Sequence, residues 1–198
     1  MIKIILSLVV LLQIVVFAES KGCVVSDILL KTIKITENET SYPYFIRTNE
    51  SSTIKKFYSI VGKYEHKKTK DNMLIDCINA ENCKNISNDL INSNITNLDL
   101  GLFQINYNSF KYPIRSYFEN EASYNNACEI IQKKVKMNKG KWSWEVLASY
   151  HSMTPKFNKI YKEKLIENYL KLTKSEIPQN SYYQTNTQKE VENTLVMY

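Results

Sequence analysis

The chain has 198 residues, 43% of them hydrophobic and 12% aromatic, which is enough apolar matter for one core and favours a single domain over two. Fourteen tyrosines against four glycines and four prolines argue against an all-β protein built on many tight turns. The net charge of +6 is spread over Lys-rich faces with few arginines and no aromatic-interleaved basic cluster, so nucleic-acid recognition is not supported.

Taken in chain order, the first element reads as a secretory signal peptide over residues 1–18. Lys3 supplies the positive start, Ile4 to Phe17 is nearly continuous apolar chain, and Val16 and Ala18 place small residues before a cut at Glu19. The apolar run is short for a membrane span of roughly 20 residues, so no stable span is expected after cleavage. Cys23, Cys77, Cys83 and Cys128 all follow the cut, and an even count in an exported chain suggests two disulfides, with three pairings open. No metal site is expected, because there is no C-x-x-C and the histidines are His66 and His151 alone.

Ser26 is placed to cap a helix over 27–37, in which Leu29, Leu30, Ile33 and Glu37 share one stripe. Glu37 therefore ends the helix on its apolar side. A carboxyl set against hydrophobic side chains has its neutral form favoured, which suits a general acid. Glu39 is the nearby rival and sits off the stripe. After Pro43 comes a short apolar piece, Tyr44-Phe45-Ile46, and then a helix near 50–63 with Ile54, Phe57, Tyr58 and Val61 on one face. Residues 64–97 read as a mostly irregular polar excursion with a short helix near 85–92.

Apolar character returns in Asp99-Leu-Gly-Leu-Phe-Gln-Ile-Asn106. Gly101 lies inside that run, where its use is close backbone approach. Gln104 and Asn106 are amides suited to sugar hydroxyl and N-acetyl groups. Helices are predicted near 125–138, 142–151 and 155–173, the last with Pro155 at its start and Phe157, Ile160, Tyr161, Leu165, Tyr169 and Leu172 on one side. Tyr150, His151 and Ser152 fall at the junction of the last two helices. His151 reads as a structural histidine rather than a catalytic one, and no hydroxyl has a convincing Asp and His pair for triad chemistry. Residues 175–198 read as a flexible polar tail.

Together these segments resemble the lytic transglycosylases, in particular the small specialised type that accompanies secretion and conjugation machines. Leu30 to Glu37 is similar to the family's helix ending AIA-x-x-E-S, and Tyr42-Pro-Tyr-Phe-Ile46 to its N-P-x-A-I. Asp99 to Asn106 matches D-x-G-L-M-Q-I-N with Phe103 in place of Met, and Ala148 to Pro155 matches A-x-Y-H-S-x-T-P. The chain departs from the pattern in having Asn38 where Ser follows the glutamate, one extra residue before Pro43, and a long insertion, residues 50–97, between the first two motifs.

The resemblance implies a mainly α, lysozyme-like single domain over 19–174 and cleavage of peptidoglycan strands in the periplasm without a cofactor. Glu37 would protonate the MurNAc–GlcNAc oxygen and, as a base, help the MurNAc 6-hydroxyl attack C1, leaving a 1,6-anhydro end. Phe103, Gln104, Asn106 and Tyr150 would line the substrate site, with Gln104 and Tyr150 holding the sugar and the glutamate. A secretion or conjugation apparatus is the implied partner. Cysteines at the family's two places imply a Cys23–Cys128 bond, and the remaining Cys77 and Cys83, six apart, can close a local loop. Two other readings compete: a lysozyme-type hydrolase using Asp99 as second carboxylate, and a binding or assembly factor that has kept the fold and lost the activity.

Overall fold

In the computed structural model, residues 22–176 are described, so the expected signal peptide and nearly all of the expected tail lie outside the described residues. Helix α1 runs Asp27–Glu37 and buries Leu29, Leu30, Thr32 and Ile33, as its 3.6-residue period requires. Ser26 stands at the N-cap, but its side chain makes no capping bond; its carbonyl instead accepts from the Leu29 and Leu30 amides. Asp27 in the first turn complements the helix dipole and pairs with Lys31 at 2.7 Å.

The sequence expectation of a mainly α fold is correct only at the level of a helix-rich chain, because a five-stranded antiparallel sheet runs through it. The strands are β1 (Phe45–Thr48), β2 (Lys67–Lys68), β3 (Leu74–Asp76), β4 (Leu98–Leu100) and β5 (Ile105–Asn106), in the order β2-β3-β1-β4-β5. Strand residues alternate between faces. Ile46, Thr48, Ile75, Leu98, Leu100 and Ile105 are buried on one side, and the register sets Ile46 opposite both Ile75 and Leu100. On the other side Arg47 lies opposite Leu74 and Asp99, and Asp99 opposite Asn106.

The stretch 64–97 is therefore not a mostly irregular excursion. It supplies two strands and a 13-residue helix, α3 (Ala80–Asn92), which starts where the Asn79 side chain accepts from the Asn82 amide at 2.9 Å. Cys77 and Cys83 are joined, tying the end of β3 to the first turn of α3. Helix α2 (Ile54–Val61) packs on α3, burying Phe57, Ile60 and Val61.

The remaining helices are α4 (Asn120–Met137), α5 (Trp144–Ala148) and α6 (Pro155–Glu176). Helix α6 extends past the expected end at residue 173 and lies against both α1 and α5. A second disulfide, Cys23–Cys128, links the segment before α1 to α4 across 105 residues. Among the described residues no helix is long and apolar enough to cross a membrane.

Candidate active site

The C-terminal end of α1, the outward face of the sheet and the first turns of α6 enclose a cleft of about 590 Å³, within the range of ordinary ligand sites. Thr36, Glu37, Asn38, Glu39 and Thr40 come from the end of α1 and the turn after it. Phe45, Arg47 and Asn49 enter at alternate positions along and after β1, joined by Leu74 and Asp99 from neighbouring strands. His151, Phe157, Ile160, Tyr161 and Lys164 form the opposite wall.

Glu37 is nearly enclosed. Its side chain is only 10% exposed, and Oε1 lies 3.3 Å from His151 Nδ1. Its helix is held from behind: Thr36 Oγ1 donates to the Thr32 carbonyl at 2.7 Å and accepts from Asn168 Nδ2 of α6 at 3.0 Å. Asn38, the residue after Glu37, turns its side chain away from that carboxyl. It is buried, donates through Nδ2 to the Tyr42 carbonyl, and accepts from the Thr40 hydroxyl at 2.7 Å, so it closes the turn out of α1.

His151 lines the cleft beside Glu37. Its ring stacks on Tyr161 with centroids 4.6 Å apart and planes 6° from parallel, which fixes the imidazole edge toward Glu37. The bond to Glu37 raises its pKa, while partial burial and Lys164 work against the imidazolium. Tyr161 is itself buried, with its hydroxyl turned toward Glu37. Burial first, and then the Glu37 charge, hold that phenol well above its ordinary pKa. The helical pattern had placed Tyr161 with the core face of α6; only the packing of α6 on α1 brings it to the acid.

The other expected site residues divide. Gln104 lines the cleft, in a left-handed backbone conformation (φ 44°) with Nε2 donating to the Gly101 carbonyl at 2.7 Å. Such a conformation in a non-glycine residue is a strained feature that clusters at functional sites. Tyr150 sits behind the wall, buried, with its hydroxyl donating to the Phe103 carbonyl at 2.9 Å; burial, followed by the charges of Glu37 and Asp99, raises its pKa. Phe103 is fully buried against Tyr124, ring to ring at 4.8 Å, and is not part of the cleft surface. Asn106 is also absent from the lining and donates to Asn97 and Asp99 at 2.9 and 2.8 Å.

Asp99 lines the cleft within reach of Glu37's field. Burial raises its pKa, opposed by hydrogen bonds from Asn49 and Asn106 and reinforced by the Glu37 charge. Gly101 makes the close approach expected of it: at φ 73° its α-carbon faces the Tyr117 carbonyl, where any Cβ would overlap the backbone. The turn bearing Gln104 is held there, beside β1, by Gly101 donating to the Phe45 carbonyl at 2.9 Å.

No protein-family model, curated protein or solved structure matches this chain significantly. The functional reading rests on the residues themselves.

Proposed function

We propose that this chain is a peptidoglycan lytic transglycosylase of lysozyme-like fold, exported to the periplasm, with Glu37 as its single general acid and base. The observation that carries the reading is a carboxyl nine-tenths enclosed at the end of a helix and opening on a cleft between helices and the outward sheet face. A carboxyl so placed can give a proton to a glycosidic oxygen and take one back at a later step.

Glu37 protonates the oxygen between MurNAc and GlcNAc as its bond to C1 breaks. The 2-acetamido group of the substrate stabilises the cationic carbon. The carboxylate then accepts the proton of the MurNAc 6-hydroxyl as that oxygen bonds to C1, closing the 1,6-anhydro ring. Glu37 ends protonated, as it began. Gln104 on the cleft wall offers amide hydrogen bonding to the sugar, and Lys164 offers positive charge to stem-peptide carboxylates, while Arg47 is already paired with Asp71. The two disulfides suit an oxidising compartment such as the periplasm. A secretion or conjugation apparatus is the partner that the resemblance suggests.

A second reading has its own observation, since Asp99 borders the same cleft and a hydrolase of lysozyme type needs a second carboxylate. The first reading is favoured because burial disfavours the Asp99 carboxylate that a base would need, and Asn106 donates to one of its oxygens at 2.8 Å. Mass spectrometry of muropeptides released by the purified protein tests the choice: anhydro ends support the transglycosylase, and reducing ends support the hydrolase.

A further inference from the structure

Glu37 and His151 lie 3.3 Å apart at the cleft, with His151 half exposed and Glu37 nearly enclosed. The imidazole is held in plane by its stack on Tyr161, so the contact is set by packing and not by a freely rotating side chain. The charged groups bearing on His151 come from three elements: Glu37 at the end of α1, Asp99 on β4, and Lys164 on α6. The first two favour the imidazolium and Lys164 opposes it, while Tyr161 stacks from α6 as a neutral phenol.

Resting on the transglycosylase reading, we propose that His151 is a positioning residue that stores the proton of Glu37 while the cleft is open and returns it when substrate fills the cleft. In the open cleft the pair holds one proton as imidazolium and carboxylate, and water solvates the exposed half of His151. Sugar entering the cleft displaces that water, and removal of solvent disfavours the charged forms. The proton then moves from His151 Nδ1 to Glu37 Oε1, leaving neutral imidazole and carboxylic acid. Lys164, beside the ring, adds to the push. Glu37 next passes this proton to the glycosidic oxygen and recovers one from the 6-hydroxyl, so the pair ends the cycle with the single proton it started with. When product leaves and water returns, the proton goes back to His151.

This arrangement answers a difficulty of one-carboxylate catalysis near neutral pH. An isolated carboxylate in a wet, open cleft gives up its proton to solvent, whereas a pair with an imidazole keeps one within 3.3 Å of the acid. The upper pH limit of activity then belongs to the pair.

The test combines a titration with kinetics. The chain has two histidines, so NMR of imidazole-labelled protein follows His151 directly, with His66 as internal reference. In Glu37→Gln the His151 midpoint is expected to fall, and an unmoved midpoint would overturn the proposal. In His151→Gln, which keeps a hydrogen-bond donor but does not titrate, activity on peptidoglycan should fail at lower pH than in wild type. At neutral pH kcat should drop at least about tenfold with KM little changed, a share of the loss typical for general-acid function. Added imidazole should raise the activity of His151→Ala, since the side chain it replaces opens to the cleft. A His151→Gln enzyme with the wild-type pH profile overturns the proposal, as does an Ala variant deaf to imidazole. If wild type releases no anhydro muropeptides, the functional reading falls by itself, and the NMR midpoint alone decides whether the pair shares a proton.

Discussion

Asn168 Nδ2 donates to Thr36 Oγ1 at 3.0 Å, joining two residues 132 positions apart and fixing α6 to α1 one residue before the candidate acid. Because Thr36 Oγ1 also donates to the Thr32 carbonyl, loss of Asn168 does not strand the hydroxyl. Asn168→Ala should therefore cost only about 0.5–1.5 kcal/mol in denaturant unfolding. Its effect on turnover should be larger than that on stability at assay temperature, because the end of α1 is free to shift. A variant with lowered stability and unchanged kcat would show that this bond holds the fold but not the acid.

Glu37→Gln should lose about 10²–10⁴-fold in rate on peptidoglycan while keeping the wild-type circular dichroism spectrum. Glu39, exposed on the cleft rim two residues later, makes no such enclosed contact, and Glu39→Gln should stay near wild-type activity. The reverse pattern in a turbidity assay would reassign the acid to Glu39.

Asp99 gives a pH-dependent prediction. Burial raises its folded-state pKa above the unfolded value of 3.8, so the folded state binds this proton more tightly. The associated stability is fully present below about pH 3.8 and is lost as pH rises through the folded-state value. At neutral pH an ionised Asp99 is a burden, and Asp99→Asn should raise the unfolding midpoint at pH 7. The gain should shrink toward pH 3. Chemical denaturation at several pH values checks the sign, and a variant less stable at pH 7 than at pH 3, relative to wild type, would contradict it.

The Cys23–Cys128 bond closes a loop of 105 residues between the lead-in to α1 and α4. Replacing both cysteines with serine should cost about 2–5 kcal/mol. Opening Cys77–Cys83, only six residues apart, should cost less, because a short loop loses little entropy when closed. Thermal unfolding of the two double variants should rank them in that order.

How far the chain could be read in advance varied with element length. Helix α1 was legible because Leu29, Leu30 and Ile33 repeat at helical spacing, and α6 because its pattern runs for several turns. The strands β2, β3 and β5 have two or three residues each, too few for an alternation to emerge. The polar composition of 64–97 further hid β2 and β3, since their outward positions face water or the cleft. Phe157 and Ile160 fit the apolar stripe of α6 yet lie exposed at the cleft rim, where the helix passes beyond the core. In the site, Glu37 and Gln104 carried local signals. Tyr161 and Lys164 did not, because their importance depends on α6 crossing the end of α1, a contact between segments more than a hundred residues apart. Phe103 and Asn106 share a contiguous motif with Gln104 but, unlike it, do not line the cleft, a division that spacing in a turn does not disclose.

The pairing of Arg47 with Asp99 and Leu74 places cleft chemistry and hydrophobic core on opposite faces of one four-residue strand. A slip of one position would exchange them, sending Arg47 inward and Ile46 into the cleft. Length change in β1 is thus constrained by parity: two added or removed residues preserve which side chains face the cleft, while one inverts every position beyond it. Homologous chains that vary here should differ by even steps, or carry a bulge that absorbs the odd residue.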